Sequence, residues 1–301
     1  MASALGTLAA VDGPGRANIR LRPGTPEDAE ACGRICYEAF SAVAAAHGAP
    51  CDFPSADVAT ALVSGLLTRP GIFSVVAEAG GEVVGSNFLD ERATIAGVGP
   101  ITVDPAVQNA AIGRKLMAAV MDRAGEQGAA GVRLVQTAYH TRSLALYAKL
   151  GFQVREPLAC MQGSPVGAVT EGHAVRPATA ADLEACDRIC RAVHGHDRSA
   201  QLSDALAGGT AVVVEHDGRV TGYSTGLAFF THSVGETVDD IKALIGAATG
   251  FGGPGILVPI RNGLLFRYCL EQGLRVVQLM TLMTTGLYNH PTGAYLPSVM
   301  Y

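Results

Sequence analysis

Residues 108–115 combine small side chains with two positive charges, a composition suited to binding a phosphate. The segment reads Gln-Asn-Ala-Ala-Ile-Gly-Arg-Lys, and it opens a stretch in which Ile112, Leu116 and Val120 recur every fourth residue. Small residues at a helix start leave backbone N–H groups free to converge on an anion, and the helix dipole adds to the attraction. The segment therefore predicts a cradle for a phosphate or pyrophosphate, made by Gln108, Asn109, Ala110, Ala111, Ile112, Gly113, Arg114 and Lys115.

A strand and a turn must position this cradle. Ile101 and Val103 alternate with Thr102, which predicts a half-buried strand. Asp104-Pro105 ends the strand, because proline cannot donate to a ladder, and Asp104 is typical of an Asx turn. The unit reads strand, turn, helix, but its spacing fits neither G-x-x-x-x-G-K-S/T nor G-x-G-x-x-G.

A second group of candidate residues lies at 140–152, after a predicted strand at 132–136. Leu144, Tyr147 and Leu150 fall on one face of a predicted helix, and Gly151 stands where the helix should end. A phenol on such a face serves either as ordinary packing or as a proton donor. His194, His196 and Asp197, further along, are interpreted as a polar loop, and no metal site is expected.

Together the two segments resemble the GCN5-related N-acetyltransferase (GNAT) superfamily. The acetyl-CoA loop of that family follows R/Q-x-x-G/A-x-G/A, and its last helix commonly reads N-x-x-A-x-x-L-Y-x-x-x-G-F. The residues of this chain that match the two patterns are Gln108, Ala111, Gly113, Leu146, Tyr147, Gly151 and Phe152. His140 stands where the family usually has an asparagine that contacts the pantetheine arm.

The resemblance implies a site and a chemistry. Acetyl-CoA would be held by residues 108–115, by His140 and by the strand Ile101, Thr102 and Val103, whose backbone N–H groups could polarise the thioester carbonyl. Tyr147 would give a proton to the leaving thiolate. Asp90 and Glu91 follow the predicted strand 83–89 and are the candidate general bases, acting through water; the alternative is that they are solvated charges at a strand end.

An internal duplication is evident from the start of each half. When Arg22–Cys36 is aligned with Arg176–Cys190, ten of the fifteen positions are identical. Thr25 and Thr179 are predicted N-caps, each followed three residues later by an aspartate. The similarity continues to Tyr147–Val154 and Cys269–Val276, but the second half contains no counterpart of the cradle.

Composition narrows the class of protein. The formal charge of -5 over 301 residues does not favour a nucleic-acid partner, and no apolar run is long enough to predict a membrane span. Seven cysteines fit a reducing cytoplasm better than a disulfide framework. Residues 1–16 are interpreted as a flexible tail. A homodimer is compatible with the sequence.

These observations predict an α/β protein with a mixed, largely antiparallel sheet in each of two tandem GNAT-like domains, 17–165 and 172–301, the second of them degenerate. The first would transfer an acetyl group from acetyl-CoA to a primary amine, on a small molecule or a peptide, by direct attack and without a metal. The second would shape the acceptor pocket, with a C-terminal strand within 293–300. Two alternatives remain open: a non-catalytic acyl-CoA sensor or scaffold, and a transferase of a longer acyl group.

Overall fold

The computed structural model describes residues 19–107 and 111–301. The predicted tail 1–16 and three cradle residues, Gln108, Asn109 and Ala110, lie outside the described residues. The first half of the described chain contains β1 (Ile19–Pro23), α1 (Ala29–Ala46), α2 (Ala56–Thr68), β2 (Ile72–Ala79), β3 (Glu82–Asp90), β4 (Ile95–Val98), β5 (Thr102–Val103), α3 (Ile112–Glu126), β6 (Gly131–Thr137), α4 (Thr141–Lys149) and β7 (Gln153–Gln162).

The second half follows the same order of elements. It contains β8 (His173–Pro177), α5 (Leu183–His194), α6 (Ser199–Ala207), β9 (Val212–His216), β10 (Arg219–Ser224), β11 (Ser233–Gly235), α7 (Val238–Ala247), β12 (Ile256–Pro259), α8 (Gly263–Glu271), β13 (Arg275–Gly286) and β14 (Ala294–Leu296). The predicted C-terminal strand is therefore shorter than the segment 293–300. Among the described residues, no helix is both long and apolar enough to cross a bilayer.

The strands form two sheets. The larger has the order β1-β2-β3-β4-β6-β13-β7-β12, with β5 pairing on β3, and the smaller has the order β14-β11-β10-β9-β8. In the part of the chain that the structure describes, β4 and β6 are the one parallel pair of the larger sheet, and its other pairs are antiparallel. The prediction of a mixed, largely antiparallel fold is confirmed.

The division of the sheets differs from the expectation of one complete sheet per half. Strand β13 of the second half lies between β6 and β7, and β7 of the first half pairs with β12 of the second. The sequence alignment makes β7 and β13 equivalent strands, so the two copies have exchanged these strands. Sequence patterns did not reveal the exchange, because equivalent strands can form the same backbone hydrogen bonds in either copy.

The duplicated N-terminal motifs form the same ion-pair network twice. Arg22 donates to both carboxylate oxygens of Asp28 at 2.7 Å and to Glu78 at 2.6 Å. Arg176 does the same with Asp182 and Glu215. Each aspartate also accepts the backbone N–H of the preceding threonine, which confirms both capping boxes. These contacts fix the first strand of each copy to the start of its first helix.

The amphipathic face of α3 is buried as predicted. Ile112, Leu116 and Val120 are each at most 2% exposed and pack in a cluster with β2, β3 and β6. A second cluster joins the halves, because it combines Ile95 and Leu158 with Leu257, Leu282 and Tyr301. Burial of apolar area across this boundary stabilises the two copies as one unit.

We predict that Leu282→Ala lowers the free energy of unfolding by about 2 to 5 kcal/mol, because Leu282 is 2% exposed within the cluster shared by both halves. Leu279→Ala is the matched control on the same strand, since Leu279 is 49% exposed. Urea denaturation followed by far-UV circular dichroism should show one transition that shifts as a whole. Two separate transitions, with only one of them shifted, would contradict the interlocked sheets.

Candidate active site

A cavity of about 560 Å³ opens where two neighbouring strands diverge. Strands β4 and β6 pair only from Ile95–Gly97 to Gly131–Arg133. Beyond that point the chain passes through Gly99 and Pro100 into β5, which pairs with β3, while β6 continues to Thr137. The gap is lined on one side by residues 98–103 and on the other by residues 134–137.

The segment 101–103 contains the short strand β5 and is partly buried. Thr102 is 3% exposed and its hydroxyl lies 3.4 Å from that of Ser86, whereas Ile101 and Val103 are half-buried. All three line the cavity. The polar Thr102 is the most buried of the three, because its hydroxyl has a partner in Ser86.

Helix α3 begins at the rim of this cavity. Ala111 has φ +58°, a left-handed conformation that is unusual for a residue other than glycine, and no side chain caps the helix in the described structure. Ala111, Ile112, Gly113 and Arg114 line the cavity, whereas Lys115 does not. The first turn of α3 therefore presents backbone N–H groups and the positive end of the helix dipole.

Helix α4 closes the cavity from the other side and carries both predicted side chains. Tyr147 lines the cavity although it is only 6% exposed, and burial raises its pKa to about 12. His140 is the N-cap residue, and its Nδ1 lies 2.7 Å from the Ser143 hydroxyl. Burial lowers the pKa of His140, so its imidazole is neutral at pH 7.

The charged side chains that line the cavity are of two kinds. Arg114 on α3 and Arg142 and Lys149 on α4 are cations, and Asp52, from the segment between α1 and α2, is an anion. The cations lie on the two helices that flank the gap. A polyanion such as a phosphate ester would be attracted to that side of the cavity.

Asp90 and Glu91 do not reach the cavity, contrary to the expectation for the predicted bases. Asp90 binds the Arg92 guanidinium at 2.6 and 2.8 Å, and although burial opposes it, this pairing keeps the pKa of Asp90 below its usual value. Glu91 is held by Arg123 at 2.6 and 2.7 Å. Both carboxylates therefore have structural partners: Glu91 lies beside α3, which carries Arg123, whereas Asp90 lies beside Arg92 and Gln201 of α6. Asp104 accepts the N–H of Ala106, as an Asx turn requires.

Sequence reasoning missed a carboxylate that does line the cavity. Asp52 is 6% exposed and accepts a hydrogen bond of 3.1 Å from the amide of Gln278 on β13, which in turn accepts one from the Tyr139 hydroxyl. Burial raises the pKa of Asp52 to about 6. The adjacent aromatic residue, Phe53, is the one signal in the sequence that could have indicated a buried position for this acid.

The second half has no equivalent helix start, as predicted from its sequence. The N-terminus of α7 is capped by Thr237 and by Asp240, whose side chains complete a capping box. Asn262 caps α8 by accepting the N–H of Leu265. Side chains of the chain itself cap the starts of α7 and α8, so fewer backbone N–H groups are available there to bind a ligand.

The predicted polar loop at 194–197 is instead a buried contact. His194 and His196 are each 6% exposed, and the Nε2 of His196 lies 2.7 Å from the Tyr301 hydroxyl. Burial lowers the pKa of both imidazoles, which are therefore neutral. No cluster of three or more His, Cys, Asp or Glu side chains with the arrangement of a metal site occurs within residues 19–107 and 111–301.

Comparison with known proteins agrees with this architecture. Residues 40–152 match the model of the acetyltransferase (GNAT) family. A search of curated proteins finds no sequence match.

Solved structures with a similar fold extend over both halves. An acetyltransferase candidate from Pyrococcus horikoshii is 17% identical with a TM-score of 0.71, covering 95% of this chain and 96% of that one. A GCN5-related N-acetyltransferase from Sphaerobacter thermophilus is 16% identical with a TM-score of 0.60, covering 92% and 98%. A tandem GNAT protein from the clavulanic acid biosynthesis pathway is 15% identical with a TM-score of 0.55, covering 89% and 98%.

At these identities the likeness establishes the fold. The chain as a whole has the tandem GNAT fold, and residues 40–152 within it match the model of the GNAT acetyltransferase family.

Proposed function

We propose that the protein is an N-acetyltransferase that moves an acetyl group from acetyl-CoA to a primary amine by direct attack. The observation that carries the proposal is the cavity between β4–β5 and β6, which brings together the uncapped start of α3 and Tyr147 on α4. The diphosphate would bind at residues 108–114, beside Arg114. The thioester arm would extend along Ile101, Thr102 and Val103 and past His140.

Tyr147 supports the departure of the thiolate in this proposal. Its pKa of about 12 lies above that of an ordinary thiol, about 8.5, so the phenol stays protonated throughout the working range. Because the phenol is a weaker acid than the thiol, it stabilises the thiolate chiefly by donating a hydrogen bond to the sulfur as the carbon–sulfur bond breaks. Neutral His140 would contact the arm through one imidazole nitrogen.

The second half completes the site without a coenzyme cradle of its own. Phe229, Phe230, Met280, Val299 and Met300 belong to the second copy and line the same cavity. We propose that residues 17–165 and 172–301 are the two copies of the duplication, and that the second now forms the acceptor side. Its internally capped α7 is consistent with the loss of a phosphate site.

Two alternatives give different experimental outcomes. A sensor or scaffold would bind acetyl-CoA without releasing CoA to any amine, and the alanine at position 111 and histidine at position 140 are the departures that favour it. A transferase of a longer acyl group would gain more thermal stability from a longer acyl-CoA than from acetyl-CoA. A free-thiol assay over peptides, polyamines, aminoglycosides and amino acids, combined with thermal shifts, separates the three.

We predict that Tyr147→Phe lowers kcat by about 100-fold, because the variant keeps the packing of the ring but removes the hydrogen-bond donor. The affinity for acetyl-CoA, measured by calorimetry, should change little. Tyr268→Phe on the equivalent helix α8 is the control and should keep wild-type turnover, since Tyr268 does not line the cavity. Full turnover by Tyr147→Phe would refute the role of the phenol.

We predict that Ala111→Gly keeps the affinity for acetyl-CoA within about twofold, because glycine adopts the left-handed conformation of this residue without strain. Ala111→Val should weaken binding by about 10-fold, since a β-branched residue at φ +58° is more strained than alanine. Calorimetric titration of both variants measures the difference. Equal affinities would show that the backbone at position 111 is not part of the phosphate site.

A further inference from the structure

We infer that Asp52 and four surrounding phenylalanines form the acceptor subsite, and that the acceptor is a cationic primary amine carried on a single aromatic or compact apolar group. Asp52 would bind the ammonium group and accept its proton. The inference rests on the proposed function, since it names the substrate class and the base of the same site.

The Asp52 carboxylate is buried and lacks a cationic partner in the described part of the chain, as expected of a group that binds a cationic ligand. Asp52 is 6% exposed, and among the described residues no ion pair includes it. It accepts a hydrogen bond from the amide of Gln278, which is itself 5% exposed and accepts one from the Tyr139 hydroxyl. A buried carboxylate without a counter-ion is costly, so an ammonium group entering the cavity would gain a favourable partner.

An aromatic wall stands next to this carboxylate. Phe40 and Phe53 contact edge to face with centroids 5.4 Å apart, Phe53 lies 5.9 Å from Phe230, and Phe230 lies 5.4 Å from Phe229. The four rings line the cavity in one continuous series. Two come from the first half of the chain and two from the second. These rings favour an acceptor with an apolar or aromatic group, and they attract its ammonium group through cation–π interactions.

The size of the cavity limits the acceptor. The whole space is about 560 Å³ and must also admit the thioester arm of the coenzyme. The acceptor side therefore suits one ring or a short branched chain better than a long polyamine. Among the described residues, Asp52 is the one anion in the lining, which also disfavours acceptors with several positive charges.

The proposed step balances in atoms and charge. The ammonium gives one proton to Asp52, which passes it to solvent, and the free amine attacks the thioester carbonyl. The new carbon–nitrogen bond forms, the carbon–sulfur bond breaks, and the second nitrogen proton ends on the sulfur of CoA. The products are the amide, CoA thiol and one proton.

The titratable groups that face Asp52 leave it as the ionising group of this subsite near neutral pH. They are Cys36 on α1, Cys160 on β7, the neighbouring Cys51, and Tyr139. Burial raises the pKa of Cys36, Cys160 and Tyr139, so these three are neutral between pH 5 and 8. The acid limb of kcat/KM should therefore follow Asp52, with activity lost as the pH falls through about 6.

Binding to the full-length protein with CoA present is the first test. We predict that 2-phenylethylamine binds the wild type and that Asp52→Asn weakens this binding by about 30-fold or more, because the variant removes one member of a buried charge pair. Binding of 2-phenylethanol, which has no charge, should be the same in both proteins. Glu156→Gln is the matched control, since Glu156 is 5% exposed but does not line the cavity.

The pH profile and the stability distinguish this role from a structural one. Asp52→Asn should lose turnover and the acid limb near pH 6. Because folding raises the pKa of Asp52, ionisation of this group lowers the stability of the wild type as the pH rises through about 6. Asp52→Asn should therefore be at least as stable as the wild type at pH 7.5. A variant with a lower Tm and wild-type kcat/KM per folded molecule would refute the subsite.

Other outcomes separate this inference from the proposed function. Acetyl-CoA-dependent turnover that prefers glutamate or spermidine over 2-phenylethylamine, with Asp52→Asn unaffected, would overturn the subsite while leaving the acetyltransferase intact. Binding of acetyl-CoA without thiol release from any amine would overturn the proposed function. In that case, loss of 2-phenylethylamine binding in Asp52→Asn would still support the cation site.

Discussion

The exchange of equivalent strands between the two copies is the constraint on which the rest of the structure depends. Because β13 pairs with β6 on one side and β7 on the other, neither copy has a complete sheet by itself. The pairing carries Met280 to the wall of the first copy's cavity and brings Gln278 into contact with Asp52. Buried Arg133 reinforces this arrangement, since its guanidinium lies 4.5 Å from the ring centroid of Tyr301 and 5.1 Å from that of Tyr288.

The cavity exists because a sheet that is continuous elsewhere is interrupted at one place. Gly99 donates to Phe88 and Asp104 donates to Val84, so the chain keeps contact with β3 on both sides of the interruption. Between them it leaves β6, and no strand of the described residues fills the gap. The backbone on this side of the gap pairs with β3, which keeps its geometry fixed.

Local features of this chain could be predicted from sequence, and non-local ones could not. The helix at 112–126, both capping boxes and the duplication follow from residue spacing within short segments. The pattern at 101–103 indicates a half-buried strand, but the near-complete burial of Thr102 depends on the hydroxyl of Ser86, which lies far from it in sequence. The roles of Glu91 and Asp52 depend on Arg123 and Gln278, which are also distant in sequence, so no pattern near either acid indicates its environment. The phosphate-binding role of residues 108–110 remains a prediction.

The strand exchange also accounts for the different histories of the two copies. The second copy supplies β12 and β13 to the larger sheet, so its scaffold must persist for the first to fold. The start of α7 in the second copy is not needed for the first copy to fold, and Thr237 and Asp240 cap it. A duplication of this kind lets one copy lose its ligand groups while its side chains are recruited to the other's pocket. Phe230, which packs against Phe53, and Phe229, which packs against Phe230, are in the position that this argument requires.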